Sequence, residues 1–288
     1  MKTELVRITD KRLSCVASGA QLWTTLEGHN PGGSIKDRLV SAELRRAIAA
    51  GEIKSGDRVS EISAGSTALS LAFFSREWDL RCSLFVPSTI DASLRERLQS
   101  LGAELHLIDP QATTAYHDYD DFCANRKIWR LDQMKRSDLD WPYVAWAEQN
   151  LRPHLAHLDL VIGAVGTGHS LRGIGKALTP QRRAQTAEPA QNGIVSGVRN
   201  LSLQSFGLDD PCRDHDFERN VLDTSQTFAS RTVETTRGLV NISDSFRLVL
   251  AAAEVAIASA AAPASNARMS PEKTKPLQIF AVGSSNKL

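Results

Sequence analysis

Short apolar runs alternate along this chain with segments whose apolar positions recur every three or four residues. That alternation predicts strands at 58–62, 82–86 and 104–108, with helices at 39–50, 67–78 and 91–101 around them. Gly51 and Gly102 close the first and third helices, and Ser34 is placed to cap the start of the first. A polar stretch rich in Tyr, Asp and Arg follows, where the pattern predicts a helix over 116–125 and a strand over 128–131. Beyond it come a helix over 144–155, a buried strand over 158–164 and a helix over 170–178. The segment 179–192 shifts to Gln, Arg, Ala and Pro and reads as a loop or a degraded strand. Segments 225–236 and 243–262 read as helices, 263–276 as a Pro/Ser/Ala-rich linker, and 277–282 as a closing strand. The recurring unit is strand, loop and helix with short buried strands, which points to an α/β fold with parallel sheets covered on both faces.

Length and charge narrow the function. The 288 residues suffice for one large domain or two modest ones sharing a cleft. A net charge of +1 gives no field directed at nucleic acid or an anionic membrane. Cys15, Cys82, Cys123 and Cys212 form no CxxC pair and read as reduced thiols of a cytosolic protein. Residues 1–10 are charged and lack the apolar core of a signal peptide. The most apolar run, 248–262, is broken by Glu254 and too short to span a bilayer. No metal site is expected. His154 and His157 have no completing ligands, and Asp118, Asp120 and Asp121 lack the glycine spacing of a calcium loop.

Three loops carry candidate chemistry. In Asn30-Pro31-Gly32-Gly33-Ser34-Ile35-Lys36-Asp37-Arg38, a glycine turn delivers a lysine to the first turn of a helix. A helix start disfavours a free ammonium, and an uncharged lysine amine can form an imine with an aldehyde. In Gly166-Thr167-Gly168-His169-Ser170, backbone N–H groups at a helix start can cradle an anion. The dinucleotide fingerprint fails there, because Leu171 stands where the third glycine belongs. A Walker A loop fails as well, since Gly175-Lys176 is followed by Ala177. A monophosphate is the better fit, with a purely structural turn as the alternative. In Glu61-Ile62-Ser63-Ala64-Gly65-Ser66-Thr67, hydroxyls and N–H groups converge at a strand end, which suits a carboxylate or an ordinary helix cap. An amine and a phosphate cradle on separate loops are what pyridoxal phosphate requires.

These residues also carry a resemblance. Residues 26–38 match, almost residue for residue, the lysine motif of the cysteine synthase (O-acetylserine sulfhydrylase) and cystathionine β-synthase family. Glu-Ile-Ser-Ala-Gly-Ser-Thr-Ala at 61–68 resembles that family's substrate-carboxylate loop, 87–105 its Pro…Arg…Leu-Gly-Ala-Glu-Leu segment, and 166–170 its phosphate loop. The likeness is strong over 5–178 and returns weakly at 197–200, at 236–240 and in the last strand. It implies fold type II: two three-layer αβα domains with parallel sheets and pyridoxal 5'-phosphate in the cleft between them. The smaller, mobile domain would span 37–130, and the larger 1–36 plus 131–288.

The resemblance also implies roles. Lys36 would hold the cofactor and then act as base and acid at the substrate Cα. Gly166, Thr167, Gly168, His169 and Ser170 would bind the phosphate. Ser63, Gly65, Ser66 and Thr67 would bind the substrate carboxylate, with Ser66 also facing the cofactor and Gln133 near the substrate. Ser284 or Ser285 would face the pyridine nitrogen, leaving the ring a weaker electron sink that favours chemistry at Cβ. The implied reaction is β-replacement on an O-acetylserine- or O-phosphoserine-type amino acid through an aminoacrylate, by a small nucleophile, in a homodimer. A β-elimination lyase of the cysteine desulfhydrase kind and a non-catalytic binding relative are the alternatives. The chain departs from the family pattern at Ser66, where Asn is usual, at Ala64, where Ser is usual, and at His169, which interrupts a glycine pair. The segment between 178 and 197 is short, so a strand of the larger domain is expected to be missing.

Overall fold

A computed structural model describes residues 4–109, 114–155, 157–178, 183–191, 193–195, 197–204, 212, 217–261 and 276–282. The chain begins with β1 (Leu5–Ile8), a short helix α1 (Ser14–Ala17) and β2 (Gln21–Thr25). Next come α2 (Lys36–Ala49), β3 (Arg58–Ile62), α3 (Ser66–Glu77), β4 (Arg81–Pro87), α4 (Ala92–Ser100) and β5 (Glu104–Ile108). They are followed by α5 (Ala115–Arg126), β6 (Trp129–Arg130), α6 (Trp141–Asn150), β7 (Leu160–Ala164), α7 (His169–Leu178) and β8 (Ala184–Pro189). The remainder is β9 (Glu218–Leu222), β10 (Thr232–Thr235), β11 (Gly238–Asn241), α8 (Asp244–Ala261) and β12 (Gln278–Val282).

The strands form two sheets. One has the order β5-β4-β3-β6 and is parallel throughout. The other has the order β11-β10-β1-β2-β12-β7-β8-β9. From β2 to β9 its neighbours run parallel, while β1, β10 and β11 add an antiparallel edge. The central strands are apolar on both faces, as helices on each side require. One core joins the four-stranded sheet to the larger one: Leu39, Leu71, Leu84, Tyr143, Val161, Ile174 and Phe280 belong to a single buried cluster. A second cluster packs α8 against the other face of the larger sheet through Leu22, Ile162, Val249 and Ile279. Among the described residues, no helix is long and apolar enough to cross a membrane. All four cysteines are free and buried.

Two expectations are corrected. The segment read as a loop or degraded strand contains β8, every residue of which is buried. Its Glu188 is matched by Arg219 of β9, and that pairing explains how a polar sequence occupies a strand with no exposed face. The larger sheet therefore keeps the strand expected to be missing. The helix expected over 225–236 is a short 3-10 turn at Thr224–Gln226 followed by β10. Thr232 and Val233 are β-branched, and a two-residue connection places Thr235 opposite Gly238 in a hairpin. The predicted linker 263–276 lies almost wholly outside the described residues.

A buried ion pair orients α2. Arg38, 4% exposed, donates from Nη2 to Glu27 Oε1 at 3.0 Å and from Nε to Glu27 Oε2 at 3.1 Å. Its guanidinium stacks 3.5 Å from the Trp146 ring centroid. Thr25 Oγ1 and Asn30 Nδ2 also donate to the Glu27 carboxylate, at 2.7 and 2.5 Å. Removing one partner of such a pair strands the other charge in the interior. Arg38→Met is therefore expected to destabilise the protein by about 3–5 kcal/mol, read as a lowered urea midpoint.

Candidate active site

The glycine turn before α2 is shaped by hydrogen bonds. Gly33 adopts φ of +90°, which a side chain would strain, and its N–H donates to Asn30 O at 2.9 Å. The buried Asp37 carboxylate accepts from Gly32 N at 2.7 Å and from the Ser70 hydroxyl on α3. A Cβ on Gly32 would overlap that carboxylate. Burial pushes the Asp37 carboxyl above its usual range, against the pull of these donors. Ser34 Oγ accepts from Lys36 N at 3.1 Å, so the residue expected to cap the helix does contact its first turn.

Lys36 is the first residue of α2 and is half-buried. Its Nζ donates to Thr167 Oγ1 at 3.3 Å, across 131 residues of sequence. Burial pulls its basicity down to about 8, while Glu61 and Cys212 oppose the fall. The lysine and the second glycine loop, read separately from the sequence, thus meet in space.

That second loop joins β7 to α7. Gly168 has φ of +83°, and a Cβ there would overlap the Cys212 sulfur. Cys212 Sγ donates to Thr167 O at 3.1 Å. Arg199 braces the turn from outside, with N–H to Val165 O at 2.8 Å and Nε to Gly166 O at 2.6 Å. The N–H groups of Thr167, Gly168, His169 and Ser170 make no hydrogen bond to another described residue. Unpaired among the described residues, they head a ten-residue helix, where the helix dipole favours an anion.

His169, expected at the phosphate turn, has its ring engaged elsewhere. Its ring is fully buried and turned away into the protein. Nε2 lies 2.9 Å from Gln133 O, and Nδ1 lies 3.1 Å from Arg172 Nη2. A carbonyl only accepts and a guanidinium only donates, so the ring is neutral with its proton on Nε2. Burial, with the nearby Lys36 charge, pulls its pKa down to about 3. Arg172 in turn donates to Asp140 Oδ2 at 2.9 Å, and Lys176 reaches the same oxygen at 2.6 Å. Only the backbone of His169 is left for an anion.

The third loop lies between β3 and α3. Ala64, Gly65 and Ser66 are exposed, whereas Thr67 is 2% exposed. Thr67 Oγ1 donates to Gln133 Oε1 at 2.9 Å, which spends its proton and leaves its N–H as the donor for a carboxylate. Gln133 joins this loop to the 166–170 turn. Its side chain holds Thr67, its carbonyl accepts from His169, and its N–H donates to Glu61 Oε2 at 3.3 Å.

Glu61 is the residue whose importance the sequence reading passed over as part of a loop. It is fully buried near the end of β3, and among the described residues its Oε1 has no hydrogen-bond partner. Burial lifts its pKa to about 8. The signal available in sequence was a carboxylate inside a short strand whose neighbours are otherwise small or apolar. Ser284 and Ser285, expected at the pyridine nitrogen, lie outside the described residues.

An amine of lowered basicity beside four open N–H donors fits a phosphorylated aldehyde. The comparisons agree. Residues 2–216 match the family described as pyridoxal-phosphate dependent enzyme, and the chain belongs to that family. Its curated relatives include cysteine synthase B of Salmonella typhimurium, 27% identical over 188 residues, covering 63% of this chain and 62% of that one. Cysteine synthase of Staphylococcus aureus is 29% identical over 191 residues, covering 62% and 60%. The chain thus spans less than two thirds of the length of the relatives it matches. Among solved structures, a hydrogen sulfide-producing enzyme from Fusobacterium nucleatum superposes with a TM-score of 0.80 at 18% identity, covering 99% of this chain and 94% of that one. An O-ureido-L-serine synthase gives 0.77 at 19% identity, covering 98% and 89%. At such identities these structures speak for the fold alone.

The His169 geometry sets a measurable expectation. Nitrogen-15 spectra of the imidazoles should show one ring fixed as the neutral Nε2–H tautomer, with no titration between pH 5 and pH 9, on the order of the range in which free histidines change charge. A His169 signal that titrates near the ordinary value would contradict the arrangement.

Proposed function

We propose that this enzyme catalyses β-replacement on an amino acid bearing a leaving group at Cβ, of the O-acetylserine or O-phosphoserine type, with sulfide or another small nucleophile. The observation that carries this reading is the contact between Lys36 Nζ and Thr167 Oγ1, which brings the amine beside the 166–170 turn. The cysteine synthase relatives support the choice of reaction.

In this reading, Lys36 and the N–H groups of 167–170 hold pyridoxal phosphate at its two ends. The bound cofactor supplies the electron sink that makes the substrate Cα–H acidic. Ser63, Ser66 and the N–H groups at the head of α3 take the substrate carboxylate, since that helix start is open and partly exposed. Gln133 fixes Thr67 and so sets the angle of that loop. The Lys36 amine moves the proton at Cα. Its lowered basicity gives it an appreciable neutral fraction near neutral pH, as a general base needs. Movement of residues 37–130 over the substrate excludes water.

Purified protein with added pyridoxal phosphate should show visible absorbance that borohydride abolishes, and Lys36→Ala should lack it. Supplied with O-acetylserine and sulfide, the enzyme should release cysteine, and Lys36→Ala should turn over about 10²–10⁴-fold more slowly. Pyruvate formed without any nucleophile would identify a β-elimination lyase instead. A cofactor that binds yet shows no spectral response to O-acetylserine, O-phosphoserine or cysteine would leave a non-catalytic relative.

A further inference from the structure

Gln133 lies where the chain leaves β6 for α6, and several independent contacts fix it there. Asp132, just before it, adopts φ of +52°, a left-handed conformation uncommon outside glycine. Gln133 itself is 5% exposed. Its N–H donates to Glu61 Oε2 at 3.3 Å, its carbonyl accepts from His169 Nε2 at 2.9 Å, and its side-chain Oε1 accepts from Thr67 Oγ1 at 2.9 Å. The two N–H groups of its amide have no partner among the described residues. A buried side chain held this closely, with donors left unused beside the 63–67 loop, is arranged to meet a group from outside the fold.

The carbonyl contact comes from α7, the helix that follows the second glycine loop. His169 reaches Gln133 O, and Arg172, one turn along, donates to Ser137 O from the same Nη2 that holds His169 Nδ1. Arg172 is itself fixed by Asp140, which Lys176 also binds. Two carbonyls of the 133–137 segment are thus pinned by two side chains of one helix. The neutral ring has no charge to offer a ligand, and what it contributes is one directed N–H.

We propose that His169 is a positioning residue for substrate binding: by donating its Nε2–H to the Gln133 carbonyl, it holds the Gln133 amide at the 63–67 loop, where that amide helps to take the substrate carboxylate. The idea rests on reading the 63–67 loop as the carboxylate site. Without the His169 donor, a buried carbonyl is left unpaired, and the peptide after Gln133 turns to find another partner. The side chain grows from the same Cα, so its amide moves as well. A misplacement of about 1 Å is enough to weaken an interaction of this kind. The helix that heads the anion turn therefore also sets the grip on the substrate, through a ring that touches neither cofactor nor substrate.

The test compares two amines on the full-length protein loaded with pyridoxal phosphate. L-Alanine and ethylamine differ by the carboxylate alone, and neither carries a leaving group, so binding is read from the visible absorbance without turnover. The wild type should bind L-alanine more tightly. His169→Phe fills the same space without a donor. It should weaken L-alanine about tenfold and leave the affinities for ethylamine and pyridoxal phosphate unchanged. His169→Gln, whose amide can donate, should recover most of the loss. A folded His169→Phe protein that keeps the wild-type preference overturns the proposal, and so does an equal loss in both variants. If His169→Phe does not fold, the wild type decides the matter. The nitrogen-15 signal of the ring that does not titrate should shift on adding L-alanine and stay in place with ethylamine, and an unmoved signal overturns the proposal equally. A wild type that binds the two amines equally removes the carboxylate reading of the loop and the proposal with it, a result distinct from a preference that survives the substitution.

Discussion

The Lys36 amine is held where its own charge is costly. Burial removes water from it, and the adjoining helix start and the open N–H groups of the 167–170 turn both present positive potential. A group so placed gains by giving up its charge. That is the condition under which a lysine becomes a nucleophile and a proton carrier instead of a solvated cation. The rest of the site can be understood as what holds the amine in this position despite the cost.

The anchoring is done by groups that never face a ligand. Asp37, next in sequence, ties the glycine turn to α3 through Gly32 and Ser70. Arg38, one residue further, ties α2 to Glu27 and Trp146. Three consecutive residues thus point in three directions, and two are locked by fully desolvated bonds. Such bonds are strong when complete and damaging when broken. The lysine is free to act because its neighbours are not free to move.

Much of this was legible in the sequence, for identifiable reasons. Strands 58–62 and 104–108 are short segments bounded by turns, with Val59 and Ile62 in one and Leu105, Leu107 and Ile108 in the other, and the structure places β3 and β5 over the same residues. Lys36 and the 166–170 turn were legible because glycine spacing reports backbone geometry directly. Strand β8 was not legible. Its Gln185, Thr186 and Glu188 look solvent-exposed until Arg219, on a separate strand, is known to lie beside them. The β10–β11 hairpin was missed because its Thr-rich strand sits among polar residues that carry no clear period. Glu61 was undervalued for the same reason as β8. The consequence of burying a carboxylate depends on what fails to pair with it, and no one-dimensional pattern records a missing partner.

His169 shows how a departure from the family pattern can be absorbed. Where the family resemblance leads one to expect glycine, a side chain must either enter the space above the turn or leave it. The ring leaves, and its two nitrogens find a carbonyl and a guanidinium already in position. This forces the neutral tautomer, so the substitution adds no charge beside Lys36. It also connects α7 to Gln133, and through Gln133 to Thr67 and Glu61. The loop that would meet an anion and the loop that would meet a carboxylate are therefore braced against one another by neutral hydrogen bonds. A charged connection in the same place would compete with the lysine for every negative group in the site, which is why the brace must be uncharged.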